Sequence, residues 1–167
     1  MHNKNLMQRI DYDMWVKSLP IGTDPLTNWQ TYQLVLEENK NWVWIANKAP
    51  YRPYHTLLIP KRQINLFRDL KPSEIKELQH LIEKYTTLLT ELNLKHTNGD
   101  TIASFTYFWR VRSGKDVRDA LTGALRINHF HVHILPDRDR SWDSLLEPEA
   151  SEADFSPIIK KLNESKL

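Results

Sequence analysis

Three histidines separated by single apolar residues, His129-Phe130-His131-Val132-His133, form the segment of this chain best equipped for chemistry. In an extended strand successive side chains point to opposite faces, so the three imidazoles share one face. Phe130, Val132 and Ile134 then share the other, which can pack on a core. Imidazole is a nucleophile, general base or metal ligand near neutral pH. Three in a row add nothing to an apolar core, where each ring nitrogen needs a partner. One chemistry open to a neutral imidazole, whatever its spacing, is nucleophilic attack. Another is a zinc or iron site, because histidines at i and i+2 on a strand can share a metal and His55 can add a further ligand. The remaining reading is a solvent-facing strand that carries three of the chain's seven histidines by chance.

Arginines gather around this segment. Arg110, Arg112, Arg118 and Arg126 precede it, and Arg138 and Arg140 follow it. Guanidinium groups suit phosphate, although a solvated face is the default for any local charge run. The formal net charge of +2 is too small to argue for nucleic acid.

The elements that must position these groups follow from pattern. A short helix is expected near Tyr12 to Ser18, and Leu19 to Pro25 reads as loop. Trp29 to Leu36 favours strand, with Tyr32, Leu34 and Leu36 on one face. Glu37 to Asn41 is a polar turn before a second strand, Trp42 to Ala46, so the two make a hairpin. Pro50 and Pro53 bracket a loop, and His55 to Ile59 is a third strand closed by Pro60. Pro72-Ser73-Glu74 starts a long helix, carried to near Asn93 by Ile75, Leu78, Ile82, Tyr85, Leu89 and Leu92. Asn98-Gly99 marks a turn. Thr101 to Val111 is a strand by its β-branched and aromatic content, Ser113 to Gly123 is loop, and Ile127 to Leu135 is the final strand, ended by Pro136. Ser156 as N-cap and Pro157 at the first helical position open a short helix through Leu162. Without alternating βαβ units, the order favours an α+β fold.

At 167 residues the chain suits one domain with its own core. The absence of cysteine excludes disulfides and thiolate zinc sites. No apolar run approaches the ~20 residues that span a bilayer, and Met1 to Gln8 lacks a signal-peptide core. A cytoplasmic location is therefore expected.

His129 to Leu135 resembles the motif of the histidine-triad superfamily. Trp44-Ile45-Ala46-Asn47-Lys48-Ala49-Pro50, continued by Tyr51 to Arg62, resembles the family's upstream block: a strand, an amide or acid, a proline loop, a histidine and an apolar strand ending in proline and basic residues. The spacing from Asn47 to His55 is similar to the branch containing the fragile-histidine-triad dinucleoside polyphosphate hydrolases. Phe67-Arg68-Asp69-Leu70, with Pro72 and Glu74, resembles the entry into the long helix. The likeness covers residues 29 to 137. It departs at Tyr54, where glycine is usual, and at Gln63, where another histidine often stands. It departs again at Ala124-Leu125-Arg126, which replace a glycine-rich turn with a hydroxyl residue, and in the longer loop from Ser113 to Gly123.

The resemblance implies a histidine-triad-like α+β fold: an antiparallel sheet of about five strands, one long helix and a short C-terminal helix. Residues 1–28 would be an irregular N-terminal segment and 29–140 the domain. Residues 141–167 would be an extension whose helix packs on that domain. The resemblance also implies that His131 attacks the α-phosphate of a nucleotide to give a nucleotidyl-histidine, which water hydrolyses. His133 would meet the phosphate oxygens or the leaving group. His129 and His55 would support the cluster, or serve only as structural residues. Asn47 would bind ribose hydroxyls, or cap its loop. Arg126, with Arg112 or Arg118, would stabilise phosphoryl charge, and Leu34 and Ile45 would line a purine pocket or pack in the core.

The leading expectation is a hydrolase releasing a nucleoside monophosphate, AMP, from a dinucleoside polyphosphate or a nucleoside phosphoramidate. A nucleotidyltransferase or phosphorylase, a non-catalytic nucleotide-binding protein and a metal-dependent enzyme are the alternatives. No resident metal and no cofactor are expected, beyond a divalent cation accompanying the polyphosphate substrate. The expected partners are a small-molecule nucleotide and a second copy in a homodimer, with no nucleic acid and no membrane.

Overall fold

The computed structural model describes residues 9–20, 23–96, 99–102, 104–109, 129–137 and 153–165. Five strands form one antiparallel sheet: β1 (Leu34–Glu38), β2 (Trp42–Ala46), β3 (Thr56–Pro60), β4 (Ser104–Phe108) and β5 (Val132–Asp137). Their spatial order is β1-β2-β3-β5-β4. The helices are α1 (Arg9–Ser18), the single turn α2 (Trp29–Tyr32), the long α3 (Pro72–Glu91) and α4 (Ser156–Glu164). This is the expected α+β architecture. Among the described residues no helix is long and apolar enough to cross a membrane.

One face of the sheet packs under α3 and α4. Leu78, Leu81, Tyr85, Leu88 and Leu89 of α3 meet Trp42, Trp44, Leu58, Val132 and Ile134 from the strands. Each large apolar side chain buried here contributes roughly 1.5–3 kcal/mol. Ile158 and Leu162 bring α4 onto the same core. The centre of the α3 stripe is rotated from the expected one, since Ile75, Ile82 and Leu92 flank it and are only partly buried. At the start of α3 the Glu74 carboxylate accepts the Lys71 N–H at 2.7 Å, which satisfies one unpaired donor of the first turn.

The opposite face carries a second apolar cluster, in which Leu26 and Trp29 cover Val43, Ile45, Leu57 and Ile59. Leu57 lies directly across from His133 in the β3–β5 register. The same face therefore runs from this cluster into the histidines.

The strand expected over Trp29 to Leu36 is corrected: Trp29–Tyr32 is helical and β1 begins at Leu34. Side-chain hydrogen bonds decide it. Asp24 Oδ1 accepts the Leu26 N–H at 2.8 Å, Thr27 Oγ1 donates to the Asp24 carbonyl at 2.9 Å, and Gln33 Nε2 donates to the Pro25 carbonyl. These local bonds wind the backbone against the β-propensity of Trp29, Thr31 and Tyr32. The expected turn from Glu37 is also shortened. β1 continues to Glu38, and a register shift between Val35 and Glu37 forms a bulge. The bulge sends Leu36 and Glu37 both towards α3. There Glu37 accepts two bonds from Lys84 Nζ at 2.9 Å and one from the Tyr85 hydroxyl at 2.7 Å. Burial alone would raise its pKa, but these donors hold the carboxyl below its ordinary value.

The final strand, expected to run through His129 and His131, begins at Val132, with His129–His131 before it outside any strand, and β4 covers Ser104–Phe108. Ile127, Val111, the Ser113–Gly123 loop and Asn98 lie outside the described residues. Gly99, at φ +88, makes the expected turn and donates its N–H to the His96 carbonyl.

Candidate active site

The histidines gather where β5 meets β3. His129 and His131 precede the first β5 residue, and the segment is fixed by the Phe130 N–H donating to the Ile64 carbonyl at 2.7 Å. Phe130 points into the α3 core. His133 stands in β5 opposite Leu57, two residues from His55 on β3's leading edge. The two segments, 78 residues apart in sequence, close to 2.9 Å between His55 Nε2 and His133 Nδ1.

The partners of each ring fix where its protons sit. The Tyr51 N–H donates to His55 Nδ1 at 3.1 Å. That nitrogen accepts, so a neutral His55 carries its proton on Nε2 and donates it to His133 Nδ1. His133 in turn carries its proton on Nε2. His131 Nδ1 lies 2.8 Å from the His129 carbonyl. A carbonyl only accepts, so Nδ1 carries the proton and the lone pair of a neutral His131 is on Nε2. His131 is half-buried, whereas His55, His129 and His133 are buried.

Flat rings hold the imidazole planes. Phe108 stacks on His133 at 4.3 Å between centroids and 4° between planes, and Tyr51 stacks on His55 at 5.3 Å. Phe108 faces His133 across the β4–β5 register. Neither ring carries a motif signature. Phe108 was legible only as one of the aromatic residues that favour strand over Thr101 to Val111, and Tyr51 as a loop residue.

His129 differs from the others. Its Nε2 donates to the Pro60 carbonyl at 2.7 Å, and its Nδ1 is buried without a hydrogen-bond partner. Burial pushes its pKa down, against smaller opposing effects of the Pro60 bond and of Asp24. Its side chain ties β3 to the triad segment, while its backbone carbonyl orients His131.

Asn47 lies at the start of the loop joining β2 to β3. Its Oδ1 accepts the Ala49 N–H at 3.1 Å, which orients the amide so that Nδ2 stands 3.1 Å from His55 Nδ1. It thus organises the loop that carries His55. Of the two readings of Leu34, pocket or core, the structure supports the core: it packs towards α3, away from the histidine face. Ile45 is on the histidine face but is covered by Leu26 and Trp29. Arg112, Arg118 and Arg126, with Arg110, Arg138 and Arg140, lie outside the described residues. Among the described residues no three histidine, aspartate or glutamate side chains are disposed to hold a metal ion.

Tyr54, the departure from glycine, adopts φ +60, a left-handed conformation that disfavours a side chain. Its ring packs edge-on against Phe155 at 5.7 Å, just before α4.

The chain is similar to known proteins in sequence and in fold. A family model described as scavenger mRNA decapping enzyme C-term binding matches residues 23–144. A bis(5'-nucleosyl)-tetraphosphatase (asymmetrical) of Schizosaccharomyces pombe is 26% identical over 123 residues, 71% of this chain and 59% of that protein. A bis(5'-adenosyl)-triphosphatase of Dictyostelium discoideum is 25% identical over 60% of this chain and 57% of its own length. The chain thus spans less than two-thirds of the length of either relative. The structure of a zinc-bound histidine triad family protein from Mycobacterium smegmatis shares the fold, with a TM-score of 0.52 at 16% identity over 84% of this chain and 93% of that one. With the family model matching most of its length, the chain belongs to the scavenger mRNA decapping enzyme C-term binding family, within the histidine-triad superfamily.

Proposed function

We propose that the chain is a nucleotide hydrolase that cleaves at the α-phosphate of a dinucleoside polyphosphate or a nucleoside phosphoramidate. The observation that carries this reading is the polarity of the hydrogen bonds around His131 and His133. His131 Nδ1–H is tied to the His129 carbonyl, so Nε2 presents the attacking lone pair. The same bond stabilises the positive charge that the ring acquires when Nε2 bonds to phosphorus. His133 accepts a hydrogen bond from His55 on Nδ1 and donates one from its own Nε2–H to the leaving oxygen or nitrogen, which stabilises the charge developing there. In the first step the Nε2–P bond forms and the P–O or P–N bond to the leaving group breaks. Water then attacks phosphorus and releases a proton to solvent, the P–N bond to His131 breaks, and a nucleoside monophosphate, AMP in the simplest case, departs. Asn47 Oδ1 has a second lone pair for a ribose hydroxyl, and a divalent cation enters with the polyphosphate as part of the substrate. The similarity to two curated phosphohydrolases supports the substrate class.

Rapid quenching with a labelled adenylate donor, followed by mass spectrometry, tests the reading. The expected result is an adenylyl group on His131 in the wild type and none in His131→Ala. Both His131→Ala and His131→Asn should lose several orders of magnitude in turnover while still binding AMP, since a nucleophile acts mainly in the transition state. Full activity in His131→Ala would end this reading. A nucleoside diphosphate appearing on addition of inorganic phosphate would replace hydrolysis by phosphorolysis.

A further inference from the structure

Arg52 is buried to 1% exposure in the loop between β2 and β3, and none of the steps above uses it. Its Nη1 donates to Asp137 Oδ1 at 3.0 Å and to the Pro136 carbonyl at 3.3 Å, both at the far end of β5. Asp137 is itself held. Thr106 Oγ1 of β4 donates to its other carboxylate oxygen at 3.2 Å, and its backbone carbonyl lies 3.2 Å from His96 Nε2. At its other end, the Arg52 carbonyl accepts the His55 N–H at 3.2 Å. One residue therefore links the last residue of the strand carrying His133 to the backbone of the histidine that hydrogen-bonds His133. Tyr51, its immediate neighbour, supplies the N–H that makes His55 Nδ1 an acceptor.

Arg52 is buried while the Asp137 side chain keeps 34% exposure, and an ion pair with a desolvated partner is a poor source of stability, because the cost of desolvation roughly cancels the attraction. Its better-attested use is to fix register. The register at stake here is that of the Tyr51–His55 loop against β5, which sets the His55–His133 distance.

We propose that Arg52, held by Asp137, is a positioning residue that sets the tautomer and reach of the His55–His133 pair. The catalytic consequence rests on the function proposed above, and the tautomer does not. With the pair intact, Tyr51 N–H meets His55 Nδ1, and the protons of both rings sit on Nε2. With the pair broken, the loop shifts along β5, the Tyr51 bond lengthens, and His55 and His133 sample both tautomers. A displacement near 1 Å at such a group slows the chemical step by roughly 100-fold.

The test compares wild type, Arg52→Met and Asp137→Asn. Nitrogen-15 spectra of the ligand-free protein read the ring tautomers of His55 and His133, and steady-state kinetics on an adenylate donor separates kcat from KM. The wild type should show single Nε2–H tautomers. Both variants should show tautomer mixtures, with kcat down roughly 10- to 100-fold and KM nearly unchanged. The double variant should be no slower than the worse single one, because the two act as a unit. Unchanged histidine spectra in a folded Asp137→Asn protein would overturn the proposal, even if Arg52→Met fails to fold. Lowered melting temperature with intact tautomers and kcat would reduce the pair to a structural one and overturn it equally. A wild type with no turnover but ordered tautomers lost in the variants would sink the hydrolase reading and leave the positioning role standing.

Discussion

At the scale of single residues, the two halves of His129 have separate duties. The carbonyl orients His131, and the imidazole bonds Pro60. Replacing the side chain should therefore injure the fold more than the chemistry. His129→Leu leaves the Pro60 carbonyl buried and unpaired, a loss of roughly 1–3 kcal/mol. Its turnover should stay within roughly 10-fold of wild type, against orders of magnitude for His131→Ala. Urea titration and steady-state assays on the same preparations check both. Equal kinetic damage at the two positions would show that the His129 ring takes part in the reaction. The spacing of the triad was readable in the sequence because strand alternation places imidazoles together. The division of labour was not. Alternation presumes a ladder, and the ladder begins only at Val132. A role played by a backbone carbonyl also leaves no trace in residue type.

At the scale of elements, the loop between β2 and β3 holds Tyr54 at φ +60. A side chain in that region costs roughly 1–2 kcal/mol relative to glycine, and the Phe155 contact works against that cost. Two truncations separate the terms. Tyr54→Ala loses the ring and keeps the strain, while Tyr54→Gly loses the ring and relieves it. Tyr54→Gly should be the more stable of the two by about 1 kcal/mol in urea unfolding. The reverse order would mean that the left-handed backbone is not strained here. The sequence marked Tyr54 as a departure without saying what the departure was, since φ is set by the loop's hydrogen bonds. The central strands were legible for the opposite reason. Trp42–Ala46 and Thr56–Pro60 are buried throughout and read as apolar runs, whereas Trp29–Tyr32 was misread because Asp24 and Thr27 impose a turn that propensity does not register.

At the scale of the whole molecule, stability should depend on pH in two stages. His129 is held below the ordinary histidine value by burial. The unfolded chain takes up this proton first, so stability is full above about pH 6.5 and falls as pH drops towards the native value. Glu74 is held low chiefly by its hydrogen bond from Arg62, and Glu37 by Lys84 and Tyr85 against the effect of burial. These carboxylates contribute stability above the unfolded value of about 4.5, which is lost as pH falls through their lower native values. Urea midpoints measured from neutral to acid pH should fall first near the histidine range and again below the carboxylate range. His129→Leu should flatten the first fall and leave the second. A midpoint that is constant down to about pH 5 would contradict the His129 assignment.

The seam between β3 and β5 has a consequence in time. On one side lies a meander of neighbouring strands, β1 to β3, which can pair as soon as the chain turns back on itself. On the other lies the β4–β5 pair. His55 belongs to the first half and His133 to the second, and the bond between them closes a loop of 78 residues. Closing so long a loop adds little free energy compared with a shorter one, but non-local pairing is slow to find. Local strand pairing is thus expected to precede the non-local seam, and under the proposed function the site is complete only once the two histidine segments have met.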